Sequence, residues 1–164
     1  MKNLFSVQDK VIVITGAAGV LGTSMVHHFA EQGAKVVILD RNEEAGRRLE
    51  EEVKAEGGEV MFLYTDVLDK QVLEGNYTEI MARYGRIDVL ICNAGISMRA
   101  LFDEVDLGVL KRLMDVNFWG TVNCCKYALP YLQASKGSVV GISSVAGLHG
   151  LPGRTGYSAS KYAM

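Results

Sequence analysis

The sequence predicts an α/β fold in which one doubly wound parallel sheet carries helices on both of its faces. Short apolar runs rich in β-branched residues alternate along the chain with longer segments of helical spacing, a pattern typical of parallel βαβ units. Eighteen glycines among 164 residues cluster between these runs. These clusters indicate tight turns at a ligand site rather than a linker.

Length and composition are those of one globular domain. A chain of 164 residues with 49% hydrophobic and 22% charged residues can bury a sizeable core. The net charge is −2 and no basic cluster occurs, so we expect no nucleic-acid partner and no membrane partner. The first ten residues lack an apolar signal-peptide core, and we therefore expect a cytoplasmic protein.

Five apolar runs are expected to form the strands. The first strand, Lys10–Thr15, leads directly into a glycine-rich turn. The other four predicted strands are Ala34–Asp40, Glu59–Val67, Arg86–Gly95 and Gly137–Ser144. Because the first strand is followed by that turn, we expect the spatial order 3-2-1-4-5, with a cofactor at the carboxyl ends of the strands.

Helical spacing fills the intervals between the predicted strands. The second helix is a charged surface helix with Leu49 and Val53 turned inward, and Gly57 and Gly58 end it. A final helix carries Tyr157. The predicted ranges of the first four helices are Val20–Gln32, Asn42–Glu56, Asp69–Tyr84 and Asp106–Gln133.

The stretch TGAAGVLGT, Thr15–Thr23, has the context of a pyrophosphate-binding turn, with a strand before it and a helix after it. Backbone N–H groups at a helix start favour an anion, and glycine allows the anion to approach closely. Thr23 stands where a lysine-type phosphate loop needs lysine, so that loop is excluded. A plain strand–helix turn is the alternative. The expected cofactor residues in this turn are Gly16, Gly19, Val20, Leu21 and Gly22.

Asp40 ends the second predicted strand, 18 residues after Gly22. A carboxylate at this position can accept hydrogen bonds from the adenosine ribose and repel a 2′-phosphate, which favours NAD over NADP. Arg41 could instead accommodate a phosphate. Asp40 could also be a helix N-cap, although Asn42 is available for that purpose.

Six motifs in order resemble the short-chain dehydrogenase/reductase family, whose members have a Rossmann fold. One departure concerns the glycine turn, where Val20 replaces the middle glycine of the family pattern and Gly19 lies one residue earlier. The motifs are TGAAGVLG at Thr15–Gly22, DV at Asp66–Val67, NAG at Asn93–Gly95, DVNFWG at Asp115–Gly120, GISSVAG at Gly141–Gly147 and YSASK at Tyr157–Lys161.

The resemblance implies four catalytic residues. Tyr157 is expected to act as the general acid/base, and Lys161, one helical turn later, to favour the phenolate and to bind the nicotinamide ribose. Ser144 is expected to orient the substrate, and the match to S-V-A-G favours it over Ser143. Asn117 is expected to hold a water that relays protons. Each of these residues taken alone is also compatible with an ordinary structural role.

The resemblance also implies further cofactor contacts and a reaction. Asn93, Ala94 and Gly95 are expected on the adenosine side of the cofactor, and Asp66 and Val67 near the adenine. The implied activity is that of an NAD(P)-dependent oxidoreductase that transfers a hydride between its cofactor and a small alcohol or carbonyl substrate. Pocket residues are expected from the segments 96–102 and 148–154, where His149 could face the substrate. A dinucleotide-binding fragment without turnover is the alternative.

The long helix also predicts self-association. Between Leu113 and Leu132 its only charged residues are Asp115 and Lys126, and one sheet face can cover only one side of it. In the family this helix packs against its twin. We therefore expect a homodimer or homotetramer with an isologous helix interface that also involves the helix of Tyr157.

Two further expectations concern the cysteines and the carboxyl-terminal part. Cys92, Cys124 and Cys125 are expected to be buried thiols, and the three histidines have no metal-ligand spacing, so no metal site is predicted. Residues 1–164 are expected to form a single dinucleotide-binding domain with its catalytic residues, incomplete at the carboxyl terminus. The fifth strand is then expected to be an unprotected edge.

Overall fold

A five-stranded parallel sheet forms the centre of the computed structural model, which describes residues 5–164. The spatial order is β3-β2-β1-β4-β5 and every neighbouring pair is parallel, as predicted. The strands are β1 Val11–Thr15, β2 Lys35–Asp40, β3 Glu59–Tyr64, β4 Val89–Cys92 and β5 Ser138–Gly141. Chain order reverses between β1 and β4, which is where ligands bind in such sheets.

Helices cross over between the strands and cover both faces. Side chains of Asn42, Asp69 and Asp106 accept hydrogen bonds from backbone N–H groups at the starts of their helices, which satisfies donors that have no partner within the helix. The helices are α1 Val20–Glu31, α2 Glu43–Ala55, α3 Lys70–Tyr84, α4 Leu107–Leu113, α5 Gly120–Ser135 and α6 Thr155–Ala163, with a 3₁₀ turn at Val145–Gly147.

The strands are shorter than the apolar runs that predicted them. The third strand was predicted to reach Val67, the fourth to cover Arg86–Gly95, and the fifth Gly137–Ser144. Side chains accept backbone hydrogen bonds after the end of β4 and at the start of β1, whereas backbone bonds continue one residue past β3 and β5, from the N–H groups of Thr65 and Ile142. The N–H of Asn93 donates to the Thr15 hydroxyl, and the N–H of Val11 donates to the Asp88 carboxylate, so the regular ladder stops at these points.

The predicted long helix is interrupted by a π-helical turn at Met114–Trp119, which joins α4 to α5. Turns of this kind occur frequently at functional sites. Asn117 lies within the turn and is fully buried. The helix as a whole runs from Leu107 to Ser135, two residues beyond the predicted end.

The core consists of two apolar clusters, one on each face of the sheet. One joins Val13 and Leu90 to α3 and α5, and the other joins Ile14 and Ile38 to α1 and α2. Strands covered on both faces explain the continuous apolar runs. The edge strand β5 is different, because all four of its residues are exposed. Within residues 5–164 no helix is both long and apolar enough to cross a membrane.

Candidate functional site

A cavity of about 430 Å³ opens at the carboxyl edge of the sheet, where β1, β2 and β4 end. Of the residues between Gly16 and Gly95 that were predicted to contact a cofactor, only Gly22 is missing from its wall. The wall contains Gly16, Gly19, Val20, Leu21, Asp40, Arg41, Asp66, Val67, Asn93, Ala94 and Gly95. Ile96, which was expected in the substrate pocket, also lines this cavity, and sequence reasoning gave no site role to four further wall residues, Thr65, Leu68, Arg112 and Val116. Val116 belongs to the DVNFWG motif, but Arg112, one helical turn earlier, lies outside every motif.

The glycine turn is too tightly packed for side chains. Gly16 has φ +61°, and a Cβ atom there would lie 2.7 Å from the Cα of Ala94. A Cβ on Gly22 would lie 2.5 Å from the carbonyl oxygens of Gly16 and Ala17. Gly22 therefore shapes the turn from behind without lining the cavity.

The departure from the family's glycine pattern leaves the helix start intact. Gly19 is the N-cap of α1, and Val20 is the first helical residue, with its side chain exposed. The N–H of Gly19 donates to the carbonyl of Gly16 at 3.2 Å. The cavity wall thus includes the amino-terminal end of a helix, where an anion is favoured.

Asp40 faces the cavity and is fixed from two sides. Its Oδ2 atom accepts a hydrogen bond from the N–H of Ala18 at 2.9 Å, and its Oδ1 atom accepts one from the N–H of Asn42 at 2.9 Å. Asn42 is the N-cap of α2, so Asp40 does not have that function. Arg41 lines the same cavity and is exposed.

A hydrogen-bond network joins the turn after β4 to the glycine turn. The Asn93 side-chain amide donates to the carbonyls of Thr15 and Gly16, at 3.0 and 2.9 Å. The Thr15 hydroxyl accepts from the N–H groups of Asn93 and Ala94. The two walls of the cavity therefore form one rigid unit. Thr15 is the first residue of the TGAAGVLG motif, but sequence reasoning gave it no role, because its hydrogen-bond partners lie far away in sequence.

Asn117 connects three parts of the chain. Its Oδ1 atom accepts from the N–H of Ile96 at 2.8 Å, and its Nδ2 atom donates to the carbonyl of Ile96 and to the hydroxyl of Ser160, at 3.0 and 2.8 Å. Ser160 in turn donates to the carbonyl of Tyr157. The π-helical turn is thereby tied both to the segment after β4 and to α6.

Lys161 lies on α6 beside Asn117 and is 6% exposed. Its Nζ atom donates to the carbonyl of Ile142 at 2.7 Å. Burial lowers the pKa of this ammonium group, because a charged form is disfavoured away from water. A Cβ atom on Gly95 would meet both the Lys161 Nζ and the Asn117 Oδ1, so both side chains border the cavity wall at Gly95.

Tyr157 is half-buried one helical turn before Lys161. Its hydroxyl has no hydrogen-bond partner in the part of the chain that the structure describes. The guanidinium of Arg154 lies 5.7 Å from the centre of the Tyr157 ring and donates to the hydroxyl of Ser97 at 2.7 Å. The two segments predicted to form a substrate pocket, 96–102 and 148–154, thus lie side by side.

The two adjacent serines have different surroundings. Ser143 donates to the carbonyl of Lys161 at 2.8 Å, which holds α6 in place. Ser144 caps the 3₁₀ turn by accepting from the N–H of Ala146 at 3.2 Å, and its hydroxyl hydrogen remains available to a ligand.

His149 is exposed. Among residues 5–164, no group of three or more His, Cys, Asp or Glu side chains could hold a metal ion.

Comparison with protein families and curated proteins gives a consistent result. The family model of short chain dehydrogenases matches residues 10–164. A 3beta-hydroxysteroid dehydrogenase of Mediterraneibacter gnavus is 33% identical over 95% of the chain and 57% of the relative. A trans-4-hydroxycyclohexanecarboxylate dehydrogenase of Sinomonas cyclohexanicum is 36% identical over 95% of the chain and 62% of the relative.

Solved structures agree with the sequence comparison. A short chain dehydrogenase/reductase from Burkholderia phymatum in complex with NAD superposes with a TM-score of 0.93 at 28% identity, over 98% of this chain and 58% of that one. An NAD⁺-bound xylitol dehydrogenase gives a TM-score of 0.92 at 28% identity, over 96% and 61%. The chain thus spans about three fifths of the length of these proteins.

Proposed function

The chain belongs to the short-chain dehydrogenase/reductase family, and on that premise we propose that its protein is an oxidoreductase that transfers a hydride between NAD and an alcohol or ketone. One observation carries the proposal above the others. The cavity at the end of β1 has Gly16 where a side chain would clash, the Asp40 carboxylate facing inward, and Gly95, which lies next to Lys161 and Asn117.

The cavity residues fit a dinucleotide. Gly16 and the start of α1 provide N–H groups and space for a pyrophosphate. Asp40, held by two backbone donors, has lone pairs left for the ribose hydroxyls. Asp66, Val67 and the turn Asn93–Gly95 form the adenosine side.

Tyr157 moves the proton in this mechanism. When bound, the nicotinamide cofactor supplies the hydride acceptor or donor for the substrate carbon. The Tyr157 hydroxyl gives a proton to the substrate oxygen during reduction and takes it back during oxidation. The ammonium group of Lys161 stabilises the phenolate and binds the nicotinamide ribose, while the Ser144 hydroxyl holds the substrate oxygen.

Asn117 has two functions in this account. Its side chain fixes Ile96 and Ser160 by hydrogen bonds, so it sets the position of α6 relative to the cavity. Within the π-helical turn it also holds the water that relays protons toward Lys161. The cofactor is NAD rather than NADP, because the Asp40 carboxylate repels a 2′-phosphate.

A screen of alcohols and ketones that follows NADH absorbance tests the proposal on the full-length protein. Tyr157→Phe removes only the hydroxyl, and we expect it to lower kcat by about 10²- to 10⁴-fold. Tyr64→Phe is the control, because Tyr64 is exposed on β3, does not line the cavity and should keep its activity. If Tyr157→Phe keeps wild-type turnover, the assignment of the proton donor is wrong.

An alternative is that this chain alone binds NAD without turnover. It spans 57% and 62% of two relatives, and β5 is an exposed edge. In this alternative, residues 1–164 bind the dinucleotide and carry the catalytic residues but do not catalyse hydride transfer by themselves. Comparing the turnover of this chain with that of the full-length protein, both saturated with NAD, separates the two cases.

We further propose an isologous dimer or a tetramer built on the long helix and α6. Apolar side chains are exposed along the helix, with Leu107, Trp119 and Leu129 about half exposed or more. Tyr162 is exposed on α6. Exposed apolar groups in one region mark association surfaces. A monomer in light scattering at micromolar concentration would exclude this assembly.

A further inference from the structure

Two thiols from different elements lie in contact beside the cofactor cavity. The Sγ atom of Cys92, the last residue of β4, lies 3.8 Å from the Sγ atom of Cys125 on α5. These residues are 33 positions apart in sequence, so the fold brings them together. All three cysteines belong to the described part of the chain, and this is the one thiol–thiol contact among them.

The two thiols differ in their access to solvent. Cys92 is 1% exposed, whereas Cys125 is only half-buried, contrary to the expectation that all three cysteines are buried. Cys124 is also 1% exposed and belongs to the core cluster between the sheet and α5. A small oxidant therefore reaches Cys125 first.

The contact also makes Cys125 the most acidic of the three thiols. The hydrogen bond from Cys92 lowers the pKa of Cys125 to about 7, while the same bond and burial raise the pKa of Cys92. Burial raises the pKa of Cys124 to about 12, and it raises the pKa of Tyr77, the phenol that faces the sulfurs from α3. Of the three thiols, Cys125 is thus the one that ionises most readily near neutral pH, and the thiolate is the reactive form.

We propose that Cys125 and Cys92 form a thiol oxidation site whose reagent is a hydroperoxide. The Cys125 sulfur attacks one peroxide oxygen, the O–O bond breaks, and Cys125 becomes a sulfenic acid while the other oxygen leaves as hydroxide or alkoxide. The Cys92 sulfur then attacks the Cys125 sulfur. The S–O bond breaks, a disulfide forms, and the oxygen leaves as water with the Cys92 proton. Two thiols are oxidised and one peroxide is reduced by two electrons.

Closing this bond shortens the distance between a sulfur at the end of β4 and a sulfur on α5. The two sulfur atoms must approach from 3.8 Å to about 2.05 Å. Cys92 is followed directly by Asn93, whose side chain holds the glycine turn through two hydrogen bonds. We expect the disulfide to weaken NAD binding, a consequence that rests on the proposed function, whereas formation of the disulfide does not.

The test is to treat the chain with dilute hydrogen peroxide, alkylate the remaining thiols, digest with trypsin and analyse the peptides by mass spectrometry. Cys92 lies in the tryptic peptide 87–99, and Cys124 and Cys125 both lie in the peptide 113–126. We expect a linked pair of these peptides, lighter by two hydrogen atoms than their sum. The pair should form in the wild type and in Cys124→Ser, and be absent from Cys125→Ser and Cys92→Ala.

Three results would overturn the proposal. They are a linked pair that persists in Cys125→Ser, oxidation of Cys125 to sulfinic acid without any linked pair, and a linked pair found only between two chains. Fragment ions of the wild-type linked peptides assign the bond to Cys125 or Cys124 directly, so the result does not depend on whether a variant folds. Titration of the oxidised and the reduced chain with NAD then tests separately whether the disulfide weakens NAD binding.

Discussion

At the scale of a single residue, Asp40 is the side chain that we propose to determine the choice of cofactor. Asn has nearly the same shape as Asp but no charge. Its single side-chain oxygen can still accept from one of the two backbone N–H groups that now bind Asp40. We expect Asp40→Asn to reduce the preference for NAD over NADP by at least about tenfold, since hydrogen bonds to a charged group contribute roughly 1.5–3 kcal/mol. Dissociation constants for both cofactors measure this preference.

Asp69→Asn is the control for this substitution. Asp69 also lies before a helix and accepts backbone hydrogen bonds, but it does not line the cavity. Its replacement should leave the ratio of the two dissociation constants unchanged. An unchanged ratio in Asp40→Asn as well would assign the discrimination to another residue, with Arg41 the nearest candidate.

Lys161 gives a second residue-scale prediction, which concerns pH. Burial lowers its pKa in the folded chain below the ordinary value of about 10.4. Between those two values the unfolded chain holds a proton that the folded chain has lost, so stability contributed by this site rises with pH. The cost of burying the ammonium is fully present below the folded pKa and disappears above the unfolded one.

The comparison variant is Lys161→Met, which has a side chain of similar length and no charge. Denaturant unfolding at several alkaline pH values gives the difference in unfolding free energy between the variant and the wild type. We expect the unfolding free energy of the wild type to rise relative to that of the variant as pH increases through this window. A difference independent of pH would mean that burial does not perturb the lysine.

Residue identities were the part of the site most accessible to sequence reasoning. Asp40 was predictable because a carboxylate at a strand end, after a glycine turn, has few other uses. Thr15 and Arg112 were not predictable, because their roles depend on which segments lie next to them in space. Cys125 was wrongly expected to be buried, since its half-buried position on α5 depends on how that helix is rotated.

At the scale of elements, two glycines should respond to replacement by alanine with opposite changes in stability. Gly75 lies in the exposed middle of α3 and a Cβ atom there would meet nothing within 4 Å, so Gly75→Ala should stabilise the chain by about 0.5–1 kcal/mol. A Cβ atom on Gly22 would overlap two carbonyl oxygens, so Gly22→Ala should destabilise by about 1–3 kcal/mol. Denaturant unfolding of both variants checks the two signs, and a stabilised Gly22→Ala would contradict the packing of the turn.

Element types and order followed from hydrophobic spacing, but element ends did not. The predicted third strand, Glu59–Val67, extends three residues past Tyr64, where β3 ends, because a hydrophobic pattern reports burial rather than ladder hydrogen bonds. The π-helical turn at Met114–Trp119 has the same spacing signal as the α-helix around it. Its position is associated with the contacts of Asn117 to Ile96 and Ser160, which lie far away in sequence.

At the scale of the whole molecule, the strand order and the position of the cavity follow from the alternation of strands and helices. The crossover between β1 and β4 creates the opening, and the network of Thr15 and Asn93 makes its walls rigid. A preformed cavity of this kind should bind its ligand without large rearrangement. The central claim is therefore that this chain binds NAD at the carboxyl edge of the sheet.

Thermal unfolding of this chain with increasing NAD tests that claim most directly. A ligand that binds only the folded state stabilises it by RT ln(1 + [L]/Kd), about 2.7 kcal/mol at 100 times Kd. We predict that NAD raises the unfolding midpoint with this concentration dependence, and that nicotinamide mononucleotide, which lacks the adenosine half, raises it much less. A midpoint that stays unchanged at millimolar NAD would contradict the account.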